Sequence, residues 1–396
     1  MRQSFDYVGI LSALAPLPAG PINEPTRTEF SLQSLQRQGD LQVCSAAAFR
    51  DRVTQEGLEQ AFRRTHVVVA SEAGFTAQAS LLLQLGPSDP PIQISRYRLG
   101  SAKASGGHGS TDLVLPIQNG GAQVLSDLLQ GHSLTFSASG QASTQHPRQE
   151  LESRLSLEDI GAGRLLLHRG ISENGVVAVS TREGLTPTPW GPVLGPLISG
   201  LYNCSGAGSI GLTMPALHSL GLGSAVCVAG AMALVSGTGS GHNPEVSRQA
   251  SGHARSPGVS CALEVDIHAL QSRWIHACRH AQLGDGLLVS IAAPVPLLNR
   301  TIARQACCSN DQLEAPVLDF GIPRRVRPCL DRVRYSQLLK GQLALQEQTL
   351  RCAPAHSPRL ASELAEELCT QLRDGRFPLR LPLAPLTPRA ALRPLA

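Results

Sequence analysis

Two glycine-rich segments hold the densest chemistry in this chain. Gly237-Thr238-Gly239-Ser240-Gly241-His242-Asn243-Pro244 follows an apolar run, so a strand is expected to deliver it as a surface-reaching loop. Three glycines there can turn successive amides toward one anion, with His242 and Asn243 as further donors. A plain glycine turn explains the same residues equally well. Gly206-Ala207-Gly208-Ser209-Ile210-Gly211 matches the G-x-G-x-x-G pattern that lets backbone approach a pyrophosphate. A dinucleotide site also needs an acid about 20 residues further on for the ribose, and no acid stands between Glu183 and Glu245. Glycines that allow tight backbone packing are the better reading.

Other nucleophile and metal patterns are missing. The chain contains no G-x-S-x-G and no His-Glu-x-x-His, and its ten cysteines never form a C-x-x-C pair. This excludes zinc ribbons and thioredoxin-like chemistry, and no metal ligand set is expected. Cys307-Cys308 is either a redox pair or two ordinary reduced residues. Asp89 and Asp112 stand among apolar or small residues, each either a site acid or a turn cap.

The elements that must position these residues alternate between helix and strand. Phe49, Val53, Leu58 and Phe62 recur at helical steps after Ser45, and Val67-Val68-Val69 reads as a buried strand. Asp89-Pro90-Pro91 is a turn, followed by a strand through Ile92, Ile94 and Tyr97. Gly120-Gly121 opens a helix from Gln123 to Leu129 that Gly131 closes, and Ser133 to Ser137 is a strand. Leu263 to Ile267, Leu287 to Ile291 and Pro316 to Phe320 are strand-like, with a helix expected around Ala269 to His280. The clearest element is the last helix, in which Ser357 caps, Pro358 opens, Leu360, Leu364, Leu368 and Leu372 form one stripe, and Gly375 ends it. The expected fold is α/β, a mixed-sheet core with a glycine-rich central segment and a C-terminal amphipathic helix. Residues 1–26 read as a loose lead-in, 27–385 as one domain and 386–396 as a Pro/Arg-rich tail.

Composition narrows the function. At 396 residues and 42% apolar content the chain can bury a sizeable core. A net charge of +4 and 14 aromatic residues (8 Phe, 4 Tyr, 2 Trp) leave little for a nucleic-acid platform. Residues 184–244 hold no Asp, Glu, Lys or Arg, but prolines interrupt them. The longest apolar run, Gly221 to Val235, is shorter than the roughly 20 residues a bilayer requires. The expectation is a buried, glycine-rich centre with no membrane span, and reduced thiols in the cytoplasm.

Taken in order, several blocks resemble one family almost end to end. They are Gly86-Pro87-Ser88-Asp89-Pro90-Pro91-Ile92, Asp112, Gly120-Gly121-Ala122, Pro147-Arg148, Ser205-Gly206-Ala207-Gly208, the 237–244 loop, and Ala293 to Asn299 with Ala315 to Gly321. The chain resembles the DUF39 family of homocysteine-biosynthesis, sulfur-incorporation (HcyBio) proteins over roughly residues 30–385. That resemblance implies an enzyme placing sulfide sulfur into an aldehyde, aspartate semialdehyde, to give homocysteine. It implies no cofactor in this chain, an external reductant and a partner with ferredoxin-type iron–sulfur modules. The family's two cysteines align with Gln78 and Gln145, so both thiols are replaced by amides that cannot form a persulfide. Cys44 and Cys204 are the candidate substitutes, and His146 beside Gln145 offers acid–base capacity.

The resemblance places Gln78, Gln145, Asp89 and Asp112 in catalytic positions and Gly239, Ser240, His242, Asn243 and Arg148 in substrate-binding ones, all around one pocket. The leading reading is sulfur incorporation into an aldehyde. Its alternatives are a non-catalytic relative that binds a small anionic metabolite or a partner protein, and, more distantly, a nicotinamide-dependent oxidoreductase.

Overall fold

The C-terminal helix forms as its sequence dictates. Ser357 Oγ accepts from the Leu360 amide, Pro358 occupies the first turn, and Leu360, Leu364, Leu368 and Leu372 are all buried along one face of Pro358–Arg373. A fully buried leucine contributes about 1.5–3 kcal/mol, so this stripe fixes the helix firmly. It lies on the strands Val67–Thr76 and Gly284–Pro296, in the heart of the main sheet. The structure is a computed structural model that describes residues 27–106, 112–280 and 284–388. The lead-in over 1–26 and most of the tail lie outside those residues.

The mixed α/β expectation holds. Among the described residues the main sheet has ten strands, running Val43–Ser45, Val67–Thr76, Gly284–Pro296, Ala225–Val228, Ala231–Thr238, Ser260–Asp266, Ile160–Ser172, Ala79–Leu85 and Asp112–Pro116, with Ile275–His280 also paired to Gly284–Pro296. A six-stranded sheet runs Cys329–Arg334, Glu314–Asp319, Val177–Val179, Ser199–Tyr202, Gln348–Pro354 and Gln342–Leu345. Each sheet has its own apolar cluster. A four-stranded sheet, Ala102–Ser105, Ile94–Leu99, Leu134–Gly140 and Glu150–Leu155, and the hairpin Gly184–Thr188 with Gly191–Gly195 complete the set.

The charge-free centre is made of strands. The apolar run expected from Gly221 to Val235 folds back on itself at Ala229 and Gly230, both with positive φ, so Ala225–Val228 and Ala231–Thr238 pair as a hairpin. Among the described residues no helix is long and apolar enough to cross a membrane.

Two local expectations are corrected. The helical pattern from Ser45 to Phe62 is two helices, Ala46–Glu56 and Leu58–Arg63, because Gly57 takes φ +82° between them. The helix expected around Ala269 to His280 is two short 3₁₀ turns followed by the strand Ile275–His280. There the buried Leu270 and Trp274 mimic helical spacing, but edge pairing with Gly284–Pro296 satisfies the backbone instead. The three-residue step from Ile94 to Tyr97, which breaks strict alternation in that strand, has a simple cause, a register shift between Ile94 and Arg96.

Candidate functional site

A cavity of about 600 Å³ opens between the two large sheets. The main sheet supplies Glu72 to Thr76 from one strand, Leu167, Arg169, Gly170 and Ser172 from another, and Val289 and Ile291 from a third. The second sheet and its loops supply Asn174, Asn203, Cys204, Leu318 and Phe320, and the turn between Gly184–Thr188 and Gly191–Gly195 adds Trp190. Trp190 meets Phe320 edge-on at 5.9 Å, and the Arg327 guanidinium lies 4.0 Å over the Phe320 ring. The cavity thus has an aromatic wall and two guanidinium groups, those of Arg169 and Arg327.

Polar groups converge at its inner end. Ser199–Tyr202 feeds the loop that carries Cys204, and the short helix Ile210–Thr213 follows it. The Cys204 thiol donates to Ser209 Oγ at 3.3 Å, and the next residue, Ile210, donates its amide to the Glu72 carboxyl. The Tyr335 hydroxyl, close to Cys204, donates to Asn174 Oδ1 at 2.6 Å. Asn174 is fixed in turn, since its amide donates to the Ala254 and Glu314 carbonyls at 2.7 and 2.9 Å.

Burial governs the charges here. Glu72 keeps some accessible surface, but as part of a cavity wall deep in the fold, and desolvation pushes its carboxyl up to about 8 against the one favourable Ile210 amide. Burial also raises the Cys204 thiol, opposed by its polar contacts with Ser209, Tyr335 and Gly206 and reinforced by the Glu72 charge. Desolvation lowers the Arg169 guanidinium, which stays charged because its ordinary value is so high. Arg169 Nη2 donates to Ser172 Oγ at 2.9 Å, and a Cβ on Gly241 would come within 3.4 Å of Nη1. Among the described residues no group of three or more His, Cys, Asp or Glu side chains is placed to hold a metal ion.

The profile of the family described as "Homocysteine biosynthesis enzyme, sulfur-incorporation" matches residues 41–379. The chain belongs to this family. A relative named L-aspartate semialdehyde sulfurtransferase, from Methanocaldococcus jannaschii, is 27% identical over 86% of this chain and 69% of its own length. A second protein of that name, from Methanosarcina acetivorans, is 26% identical over 88% of this chain and 70% of its own length. An uncharacterised protein from Methanothermobacter thermautotrophicus is 22% identical over 80% and 72%. No solved structure matches the chain.

Of the family positions singled out in the sequence as catalytic or substrate-binding, Gln78 lines the cavity and the others do not. Gln78 sits in the link between Val67–Thr76 and Ala79–Leu85, where its carbonyl accepts from the His168 amide at 2.9 Å. The 237–244 loop borders the same region through Gly241 and Arg169. Its amides at Gly239, Ser240, His242 and Asn243 donate to the carbonyls of Ser260, His168, Gly239 and Gly258, so these four are committed to the fold. His242 Nδ1 sits 3.1 Å from the Ser260 carbonyl.

Asp89, Asp112, Gln145 and Arg148 are not among the described residues that line the cavity. Arg148 donates to the main-chain carbonyls of Asp89 and Pro90 at 2.6 and 3.0 Å, tying the Ser88-Asp89-Pro90-Pro91 turn to the Pro147-Arg148 segment. Gln145 lies exposed beside them, in a turn closed by Ser143 and His146. Asp112 pairs with Gln84 on the edge of the main sheet.

Glu72, Arg169 and Asn174, which line the cavity, and Ser209 and Tyr335, which stand next to Cys204, had not been singled out from the sequence. Glu72 left a faint signal, an acid in a strand whose first four residues are fully buried. Arg169 is an arginine in the strand Ile160–Ser172, where Leu165 and Leu167 are buried. Gly211 answers the G-x-G-x-x-G question, because a Cβ there would lie 2.3 Å from the Glu173 backbone, so this glycine serves close packing.

Proposed function

We propose that this protein incorporates sulfide sulfur into a small aldehyde that carries a carboxylate, with L-aspartate semialdehyde as the substrate and homocysteine as the product. The observation that carries the reading is one cavity whose wall holds both a guanidinium, Arg169, and a thiol, Cys204. Membership of the family and the names of two relatives supply the reaction class. A carboxylate entering the cavity would meet Arg169, and charge-assisted hydrogen bonds of this kind are the strong ones. The aldehyde end would then reach toward the polar cluster around Cys204.

The chemistry also sets what must come from outside. Aldehyde and hydrogen sulfide give a thioaldehyde and water, and a thioaldehyde becomes a thiol only on gaining two electrons and two protons. An external electron donor is therefore part of the proposal, and a partner protein with ferredoxin-type iron–sulfur modules is the class that the family resemblance suggests. Gln78 enters the proposal as part of the cavity wall, Gly239, Ser240, His242 and Asn243 as the loop beside Arg169, and Asp89, Asp112, Gln145 and Arg148 as residues outside the cavity, where such a partner would dock.

The test is to supply the pure protein with L-aspartate semialdehyde, isotopically heavy sulfide and a chemical reductant. Homocysteine carrying the heavy sulfur is the expected product. A protein that binds the aldehyde but yields none would instead fit the non-catalytic alternative.

A further inference from the structure

Cys204 and Gln78 lie on the wall of the same cavity. Gln78 stands where the family resemblance places a cysteine, and Cys204 is the cysteine on that wall among the described residues. Cys44, the other candidate, is buried in the strand Val43–Ser45 and does not line the cavity.

We infer that Cys204 is the nucleophile of this site and that Glu72 is its proton-transfer partner, so that the thiol role has moved across the cavity from position 78. The inference rests on the sulfur-incorporation reading and names the residues that would perform it. Three observations support it besides the position of the thiol. Cys204 and Glu72 are held by adjacent residues, the Ser209 hydroxyl and the Ile210 amide, which brings both groups to one end of the cavity. Tyr335, whose hydroxyl is locked on Asn174, lies next to the thiol. His356 lines the same cavity, and its Nε2 is enclosed with no partner among the described residues, a polar group left over for a ligand.

The step is an addition without redox change. As the Cys204 sulfur bonds to the carbonyl carbon, its proton passes to the ionised Glu72 carboxylate, and the C=O π pair goes to the oxygen. That oxygen then takes the proton from Glu72, leaving a thiohemiacetal and the carboxylate as it began. A carboxyl that titrates near the working pH suits a group that must both accept and return a proton.

Alkylation of Cys204, mapped by peptide mass spectrometry on the native full-length protein, tests this with and without L-aspartate semialdehyde. The exposed Cys329 serves as the internal reference. The aldehyde is expected to slow labelling of Cys204 about tenfold or more while leaving Cys329 unchanged. Glu72→Gln is expected to shift the pH midpoint of Cys204 labelling downward, since removing a nearby negative charge favours the thiolate. The same variant is nevertheless expected to lower homocysteine formation at saturating aldehyde, which loss of a merely neighbouring charge would not do. Cys204→Ser, which keeps the size and the bond to Ser209, should lower homocysteine formation roughly 100-fold or more.

Labelling indifferent to the aldehyde, or full activity in Cys204→Ser, overturns the assignment even if homocysteine is made. Protection of Cys204 without homocysteine formation would uphold the covalent site and refute the sulfur-incorporation reading instead.

Discussion

Glu173 and Arg248 form a two-pronged ion pair directly behind the cavity wall, one residue before Asn174. The Glu173 side chain has no exposure, and its oxygens accept from both Arg248 terminal nitrogens, from the Ala216 amide at 2.6 Å and from the Val259 amide at 3.0 Å. Every lone-pair direction of this carboxylate is therefore used, which is the condition under which a buried charge is tolerated.

Removing the cation should be costly. Arg248→Ala leaves the carboxylate buried without its counter-charge and is expected to destabilise the protein by about 3–5 kcal/mol in chemical denaturation. A loss under about 1 kcal/mol would mean that the two amides suffice.

Glu72 makes stability depend on pH in a defined direction. Its carboxyl titrates at about 8 in the folded protein and at its ordinary 4.5 when unfolded. Between those values the unfolded chain has released a proton that the folded one keeps, so stability falls as pH rises through the window. Thermal melting from below pH 4.5 to about 8 should show this decline in the parent and a flatter profile in Glu72→Gln. Parallel profiles would show that Glu72 ionises freely in the fold.

Position 78 and position 145 should respond differently to a restored thiol. Both glutamines are exposed, so Gln78→Cys and Gln145→Cys should each change stability by no more than about 0.5 kcal/mol. Gln78 lines the cavity and Gln145 does not. Sulfide-dependent product formation is therefore expected to rise in Gln78→Cys alone and to stay at the parent rate in Gln145→Cys. A rise confined to Gln145→Cys would move the chemistry to the surface beside Asp89 and Arg148.

Much of the scaffold was legible because its signals are local. Ser357, Pro358 and the leucine stripe define a helix without reference to anything else, and Val67-Val68-Val69 reads as a strand because β-branched residues favour the pleated surface. The helix expected at Ala269 to His280 failed because edge pairing with a distant strand decided it, and Gly57 broke another helix through a backbone angle that composition only hints at. The cavity was harder still to see. Glu72, Arg169, Cys204 and Tyr335 are scattered over more than half the chain, and only the packing of one sheet against the other brings them together. Cys204 was visible as a thiol, but its neighbours Ser209 and Glu72 were not visible as its partners.

Homocysteine formation by the parent and Arg169→Gln, measured side by side over a range of L-aspartate semialdehyde, tests most directly whether this cavity takes the aldehyde by its carboxylate. The account predicts sulfide-dependent product from the parent and a KM raised roughly tenfold to a hundredfold in the variant, the worth of a hydrogen bond to a charged group. Product formed equally well by both proteins, with the same KM, would contradict it.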